Sequence, residues 1–512
     1  MTEHSRRPVL VGASQWLDRD PDPELAPAPI DVLEQVVRDA ANDAGLAALA
    51  AVDTLGLIPP AGWEAQNAPG ALAARLGMAP SELVDTGNGG EVGVRAINWM
   101  AQRIVNGESD VAVLCGANNM RTLELAARRG LTIDWTHDTE GSPHLFSPPR
   151  SDAATQMEAM SGIRTSEASI GLSLPPQMYP LFENALAHHF GRGIDEHMKL
   201  VGELFSRFTR VAAANPYAWF PIERSPEELI TPKPSNRMVS FPYTKYLNAI
   251  LNTDQAAALV MVSVERARAL GIPEERWVHW WGGNHAQEEA YYVSTRPDFS
   301  ACPSMLDSHA GALANAEVDL DEIDLFDFYS CFPSAVEMAC RMLDLELDDP
   351  RNFTITGGLP YAGGPGSAYP LHSLATMHQR LRERPDAKAL ITGNGFYLTK
   401  HAASVWSGLP FEGGQPSSTR SGRFARGFER APMEPVTRSG TGVVETFTVV
   451  HARDGGPERA IALGRFENDR SRFVAIGPDD ASLMRSFEDD GLIGRRVALE
   501  AGEGLCRFSP LD

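Results

Sequence analysis

The chain has few cysteines and no long hydrophobic run. Its five cysteines are free of Cys-x-x-Cys pairs and of Cys/His patterns with metal-ligand spacing. They are Cys115, Cys302, Cys331, Cys340 and Cys506. We therefore expect a reducing, cytoplasmic location with no metal and no other cofactor. No segment approaches the roughly 20 apolar residues that a membrane helix requires, so membrane insertion is not expected.

Basic residues are also scarce relative to acidic ones. The chain has 45 lysines and arginines against 67 aspartates and glutamates, a formal net charge of -22. Nucleic acid is therefore not an expected partner, because phosphate binding requires a basic face. Apolar residues make up 43% and charged residues 22% of the 512 positions, as in folded globular proteins. This length exceeds what one hydrophobic core usually serves, which predicts two or three packed units.

Strand and helix patterns alternate in two separate stretches of the chain. The first stretch covers the opening 120 residues and the second begins near residue 277. Strands that alternate with helices predict a parallel sheet with helices on its faces, and the repetition indicates an internal duplication. Residues 121–245 interrupt the rhythm with helical pieces and prolines, which predicts an inserted loop domain that helps to build a binding site.

Four parts are predicted along the chain. Residues 1–270 form the first half, including the loop domain, and residues 271–412 form the second half. A linker rich in Gly, Ser, Pro and Arg follows at 413–432, and residues 433–512 carry short strands and turns typical of a small β domain. The linker arginines could hold phosphates, but a flexible, solvated linker is the preferred interpretation. They are Arg420, Arg423, Arg426 and Arg430.

Four short sequence blocks occur in a fixed order, and three of them contain paired or closely spaced glycines. They are residues 89–120 (GGEVGVRAINWMAQRIVNGESDVAVLCGANNM), 328–332 (FYSCF), 357–366 (GGLPYAGGPG) and 393–395 (GNG). Together they resemble the nucleophile loop and later catalytic blocks of thiolases, and the terminal β domain resembles the extra domain of thiolase-like proteins of type 1. The resemblance implies an α/β thiolase fold of duplicated α-β-α-β-α layers, with an inserted loop domain and a C-terminal OB-like domain.

Residue-by-residue matching places glycine at two catalytic positions of thiolases. The nucleophilic cysteine falls on Gly90, the histidine of the Gly-His-Pro motif falls on Gly364, and the second cysteine falls on Ile391. Thiolases need a thiolate to accept the acyl group and a base to generate it. The resemblance therefore implies that ordinary thiolase activity is weak or absent.

Tyr329 and Cys331 are the first candidate catalytic residues. Their block also resembles that of the sterol-carrier-linked thiolases, in which the matching cysteine moves a proton. His401, just after the GNG turn, is a third candidate. A hydrogen-bonded buried tyrosine, an inert buried cysteine and a solvated or capping histidine are the structural alternatives. The residues expected to bind substrate are Gly90, Gly364, Gly358, Tyr361, Gly393 and Gly395.

Three functions stay open at this point. The first is an acyl-CoA-binding protein of the acetyl-CoA acetyltransferase class with an atypical site. The second is retro-aldol cleavage of a 3-hydroxyacyl-CoA with Tyr329, as in thiolase-fold retro-aldolases that lack the nucleophile. The third is a non-catalytic module that binds CoA thioesters. Acyl-CoA or CoA is the expected partner in each case, and the resemblance implies a monomer or a homodimer.

Overall fold

The structure, a computed structural model, describes residues 5–46, 49–63, 65–137, 139–147, 158, 161–419, 422–502 and 504–511. Its helices are α1 (Pro29–Ala44), α2 (Ala68–Leu76), α3 (Val92–Asn106), α4 (Met120–Arg129), α5 (Thr165–Ser169), α6 (Pro175–His189), α7 (Ile194–Ala214), α8 (Pro226–Ile230), α9 (Val264–Ala269), α10 (Pro303–Asn315), α11 (Pro333–Leu343), α12 (Tyr369–Glu383) and α13 (Ala481–Asp490). Among these helices, none combines the length and the apolarity needed to span a membrane.

The strands complete the described elements. They are β1 (Pro8–Asp18), β2 (Thr54–Ile58), β3 (Glu82–Asp85), β4 (Val111–Asn119), β5 (His144–Leu145), β6 (Met238–Ser240), β7 (Tyr243–Thr244), β8 (Asp254–Ser263), β9 (Val278–Gln287), β10 (Leu325–Asp327), β11 (Lys388–Gly395), β12 (Lys400–Ser407), β13 (Gly440–His451), β14 (Pro457–Phe466), β15 (Arg472–Ile476), β16 (Arg496–Ala501) and β17 (Cys506–Pro510).

The two halves share a ten-stranded sheet within the described residues, in the order β10-β11-β12-β9-β1-β8-β4-β2-β3-β5. β1 and β9 join the halves through two residue pairs, Val9 with His279 and Leu10 with Val278. The sheet is mixed, whereas the alternation predicts a parallel one. The last strand of each half runs antiparallel to its neighbours: β8 between β1 and β4, and β12 between β9 and β11. A tight turn between β11 and β12 requires this, since parallel neighbours need a long crossover.

Helices form layers outside and between the two halves. α3 and α12 lie between them and share one core, in which Met100 and Leu371 are fully buried. α1 and α2 cover the first half, and α10 and α11 cover the second. These positions give the α-β-α-β-α order that the resemblance implies.

Local sequence signals set the ends of α1 and α3. α1 begins at Pro29, whose fixed φ suits a first helical turn, and the Asp31 carboxylate accepts a hydrogen bond from the N–H of Ala28. Each helix ends at a glycine in the left-handed region, Gly45 with φ 71° and Gly107 with φ 80°. α3 starts at Val92, two residues after Gly90. The glycine pair 89–90 therefore lies at the amino end of a central helix.

The C-terminal strands close into a small barrel. The described strands β13, β14, β15, β17 and β16 pair in that order, β16 returns to β13, and α13 lies between β15 and β16. This confirms the small C-terminal β domain that the sequence predicts. Ile461 and Leu463 of β14 lie in the same core cluster as α6 and α11, and Ser240 pairs with Val450. The barrel is therefore packed directly against the loop domain.

The linker is anchored to α10. The buried Asp307 accepts hydrogen bonds from the N–H groups of Phe424 and Ala425, at 2.6 and 2.9 Å, and pairs with Arg430 at 2.7 Å. Arg423 pairs with Glu289 at the surface, Arg426 is exposed, and Arg420 lies outside the described residues. The segment is thus largely solvated, as preferred, but it is fixed near Ala425 and Arg430, because a buried carboxylate needs these partners.

Candidate functional site

A cavity of about 400 Å³ lies between the loop domain and the glycine-rich turns of the sheet. Most of its lining comes from four distant segments: residues 88–90, the first turns of α6, residues 329–332 and residues 394–397; residues 249, 359 and 366–367 also contribute. Leu174 and Leu251 also line it, and both are more than half exposed, at 57% and 51%. The cavity is therefore open to solvent between these two leucines.

Tyr329 is held at the carboxyl end of β10. Its N–H donates to the Thr392 hydroxyl at 2.9 Å, and its ring packs edge-on against Tyr369, with the centroids 5.5 Å apart. The Tyr369 hydroxyl in turn donates to the buried Asp327 carboxylate at 3.0 Å. The carboxyl ends of parallel strands are the usual place for functional side chains in such sheets.

The ring of Tyr329 reaches the backbone of Gly90. A methyl group built on Gly90 would overlap the Cζ atom and the hydroxyl of Tyr329, as well as the carbonyl oxygen of Asn394. Both Gly90 and Tyr329 line the cavity. The phenol therefore occupies the space into which a side chain at Gly90 would project, and Gly90 is glycine because the phenol approaches so closely.

The Tyr329 hydroxyl is a neutral donor. It makes no hydrogen bond to the described residues, although the residue is 9% exposed in the cavity wall. Burial raises the pKa of this phenol well above 10, and the nearby Cys331 and Glu91 raise it further. At neutral pH it can therefore donate a hydrogen bond to a ligand oxygen but is a poor base.

Cys331 lines the same cavity and belongs to a small polar cluster. The Asn394 side-chain amide donates to the Tyr179 hydroxyl at 2.9 Å and lies 3.8 Å from the sulfur of Cys331. Tyr179 donates in turn to the carbonyl of Phe396 at 2.8 Å. Burial raises the pKa of the Cys331 thiol to about 12, so the thiolate that a nucleophile needs is scarce at neutral pH.

Glu91 is a buried carboxylate next to Gly90. Neither of its oxygens has a hydrogen-bond partner among the described residues, and the ammonium of Lys400 lies 4.0 Å away. Burial raises the pKa of Glu91, and the charge of Lys400 opposes this shift. A methyl on Gly395 would overlap this carboxylate, and one on Gly393 would lie 2.7 Å from its Cα. These two glycines, predicted to bind substrate, thus make room for Glu91 and do not line the cavity.

The other predicted substrate-binding residues lie behind the cavity wall. Gly364 donates its N–H to the carbonyl of Ile250 at 2.8 Å. Gly358 has a φ of 79°, and a methyl there would come within 2.7 Å of the Ser330 hydroxyl. Tyr361 packs against Phe205, with ring centroids 6.3 Å apart, and its hydroxyl has no partner among the described residues. None of the three lines the described cavity, so their contribution is to shape the wall from behind.

His401 occupies a different buried cluster on β12. Its Nε2 lies 3.2 Å from the sulfur of Cys302, which lies 3.4 Å from a carboxylate oxygen of Glu288. Burial lowers the pKa of His401 to about 4, so the imidazole is neutral at neutral pH. The structure does not bring His401 into the cavity with Tyr329 and Cys331.

Three residues of the site were not predicted from the sequence. Tyr179 lies in the irregular loop region, where no motif marked it. Asn394 stands between the two glycines of the GNG block, and Glu91 is a charged residue between the glycine pair 89–90 and the residues 92–94 (VGV). The isolated carboxylate was the one available signal, because a charge flanked by buried helix and turn residues usually has a partner or a task.

Comparison with solved structures identifies the family. A monomeric SCP2-thiolase-like protein type 1 from Mycobacterium smegmatis is 30% identical to the chain, and the alignment covers 99% of both chains with a TM-score of 0.81. The chain belongs to the SCP2-thiolase-like proteins of type 1. Residues 429–503 match the family model of the thiolase-like protein type 1 additional C-terminal domain, as expected for a member.

Two solved structures of lower sequence identity are similar to this type 1 family member in fold only. An Ltp2–ChsH2(DUF35) aldolase is 18% identical, with 79% of this chain and 98% of that chain covered and a TM-score of 0.58. An acetyl-CoA acetyltransferase from Syntrophomonas wolfei is 16% identical, with 78% and 99% covered and a TM-score of 0.55. A search of the curated proteins finds no match.

Proposed function

We propose that the cavity binds acyl-CoA-type thioesters and that the chain does not catalyse ordinary thiolysis. One observation carries this proposal: the Tyr329 phenol stands beside Gly90, in the space that a nucleophilic side chain would need. Cys331 is the one thiol among the described lining residues, none of which is a histidine. Acyl transfer through a covalent intermediate needs an activated nucleophile, which this wall does not supply.

The lining supports a thioester as ligand. Pro175, Leu251, Leu359 and Phe396 give the walls an apolar character that suits an acyl chain. The Tyr329 hydroxyl is a donor placed among them and can bind a thioester carbonyl oxygen. A mostly apolar pocket with a few placed polar groups is the usual form of a small-molecule site.

Binding and thiolysis are tested separately. Calorimetric titration with CoA, acetyl-CoA and longer acyl-CoAs is expected to show binding that strengthens with the acyl group, and acetoacetyl-CoA with free CoA is expected to give no thiolysis. Leu174→Glu at the mouth should weaken acyl-CoA binding, whereas Leu25→Glu, at an 83% exposed site outside the cavity lining, should not. Absence of binding to every thioester, or thiolysis at ordinary thiolase rates, would refute the proposal.

Retro-aldol cleavage is a second candidate, favoured by the unbonded Tyr329 hydroxyl in the cavity. The 3-hydroxyl of a 3-hydroxyacyl thioester loses its proton, the C2–C3 bond breaks, an aldehyde or ketone leaves, and the electron pair forms the thioester enolate, which is then protonated at C2. Tyr329 would donate a hydrogen bond to the enolate oxygen. The hydroxyl proton would pass to solvent water in the open cavity, because the one phenol proton is engaged with the enolate oxygen.

This candidate is tested by measuring carbonyl release from 3-hydroxyacyl-CoAs. Tyr329→Phe should lower the release rate by at least about a hundredfold, the usual scale for loss of one donor to a developing oxyanion. Tyr361→Phe is the matched control, because this buried tyrosine lies outside the cavity lining. Release that persists in Tyr329→Phe would exclude the mechanism and leave the binding proposal untouched.

We also propose that the protein acts as a cytoplasmic monomer. All five cysteines are free and buried, which fits a reducing compartment. The 30% identical relative is described as monomeric. Light scattering of the purified chain tests this proposal, and a dimer mass would contradict it.

A further inference from the structure

Three acidic and imidazole side chains meet in the interior, away from the cavity. Glu183 of α6, His197 of α7 and Glu337 of α11 place their ligand atoms within 4.8 Å of one another. Their side chains are 0%, 0% and 1% exposed. Nε2 of His197 contacts Oε1 of Glu183 and lies 3.4 Å from Oε2 of Glu337.

The Glu337 carboxyl group lies in this cluster beside the imidazole of His197 and the carboxylate of Glu183. Neither carboxyl oxygen of Glu337 accepts a hydrogen bond from the described residues. Nδ1 of His197 also makes no hydrogen bond to them. Burial of an unpaired carboxylate costs several kcal/mol, so such a group normally holds a cation or a proton. The guanidinium of Arg192 is the cation whose charge acts on Glu337.

We propose that Glu183, His197 and Glu337 bind one divalent first-row transition metal ion, of which Zn²⁺ is the best fit. Nε2 of His197, Oε1 of Glu183 and an oxygen of Glu337 supply three donors of the N/O type, and the second oxygen of Glu337 offers a fourth. Zn²⁺ binds His nitrogen and Glu oxygen and is usually four-coordinate. The other oxygen of Glu183 accepts a hydrogen bond from the Tyr243 hydroxyl, an outer contact that orients the ligand.

The position of the cluster gives the ion a structural task. α6 carries Pro175 and Tyr179 of the cavity wall, and α11 follows directly on the segment with Tyr329 and Cys331. Ser334 at the start of α11 also donates to the carbonyl of Tyr179. An ion that joins α6, α7 and α11 fixes two walls of the cavity relative to each other, and the buried ligands leave it no open position for substrate.

A carboxyl pair that shares a proton is the competing state. Burial and the negative charge of Glu183 raise the pKa of Glu337, so that in the absence of a cation Glu337 holds a proton. The two states make opposite predictions about metal content. They also differ in Glu337→Gln, since an amide replaces a carboxylic acid in a hydrogen bond but is a poor metal ligand.

Metal analysis by mass spectrometry of the purified full chain tests the proposal, with refolding from urea in the presence of Zn²⁺, Mn²⁺ or Fe²⁺ to allow entry to the buried site. We expect about one ion per chain, lost in Glu337→Gln and retained in Glu203→Gln. Glu203 is an exposed control on α7, the helix that carries His197. Wild-type chain that stays free of metal after refolding would overturn it.

A second measurement covers failure of the variant to fold. Refolding of the wild-type chain with Co²⁺ should produce the visible absorption of a low-symmetry N/O cobalt site, and added Zn²⁺ should abolish it. The melting temperature should also rise with Zn²⁺ and fall with a chelator. No absorption and no shift of the melting temperature would overturn the proposal.

Discussion

The phenol of Tyr329 fills the space into which a side chain at Gly90 would project. The two residues lie 239 positions apart, on different halves of the duplicated fold. The phenol and any side chain at position 90 therefore compete for the same volume. A cysteine placed at position 90 would overlap the phenol.

Gly90→Ala tests this relationship. The added methyl overlaps the phenol and the Asn394 carbonyl, and overpacking of this kind costs about 1–3 kcal/mol of unfolding free energy. In Gly90→Ala/Tyr329→Ala the cost should be smaller than the sum of the single changes, because the phenol is gone while the carbonyl remains. Urea unfolding of the four proteins measures the coupling. Additive costs would mean that the two residues are not in contact.

Alkylation tests the state of Cys331. With a pKa of about 12, its thiolate is roughly a thousandfold scarcer at pH 7.5 than that of a free cysteine with a pKa of about 8.5. Native protein should therefore react with iodoacetamide at least about a thousandfold more slowly at Cys331 than urea-unfolded protein does. Peptide mass spectrometry resolves the site. Rapid native labelling of Cys331 would instead indicate an activated thiol.

Two linker arginines differ in their predicted effect on stability. Arg430 and Asp307 are nearly buried, at 11% and 8% exposure, so Arg430→Ala leaves a buried carboxylate without its cation and should cost about 3 kcal/mol. Arg423 is 72% exposed, and Arg423→Ala should change the unfolding free energy by less than about 1 kcal/mol. Urea unfolding compares the pair. Equal small effects would mean that the linker is loosely held in solution.

Buried neutral histidines predict loss of stability in acid. Burial lowers the pKa to about 4 for His279 and His401 and to about 3 for His309 and His372. Each folded pKa lies below the unfolded value of about 6.5, so the unfolded chain binds more protons below that pH. The stabilisation is complete above pH 6.5 and is lost as the pH falls toward 4.

The slope of stability against pH measures this loss. Each histidine adds up to about 1.4 kcal/mol per pH unit between pH 6 and 5, a window above most carboxylate titrations. Urea midpoints at several pH values should therefore fall steeply there, and His372→Gln should remove about one proton from the slope. An unchanged slope in this variant would contradict the assignment.

The sequence predicts the helices of the central layers better than it predicts some of the strands and the last helix. Periodic apolar residues and capping glycines locate α1 and α3, since such signals are local. β12, with the sequence KHAASVWS, lacks strict alternation and was not predicted as a strand; neither was β17 nor the helix α13. These elements are stabilised by pairing and packing with distant segments, which propensity does not report.

The placement of His401 shows the same limit. Asn394 lies on β11, adjacent to β10 and Tyr329, whereas His401 lies one strand further, on β12. That strand spacing of about 4.8 Å moves the imidazole toward Cys302 and away from the cavity. Sequence proximity to the GNG turn could not distinguish the two positions.

The sequence by itself determined that glycine stands at 90 and 364, that thiolase-type layers form, and that a small β domain follows. These features depend on residue identity and local pattern. Only the tertiary structure decided that Tyr329 fills the space beside Gly90, that Glu91 is buried beside it, and that Glu183, His197 and Glu337 converge. Such contacts join residues that lie far apart in the chain, and their geometry follows from strand order and helix packing.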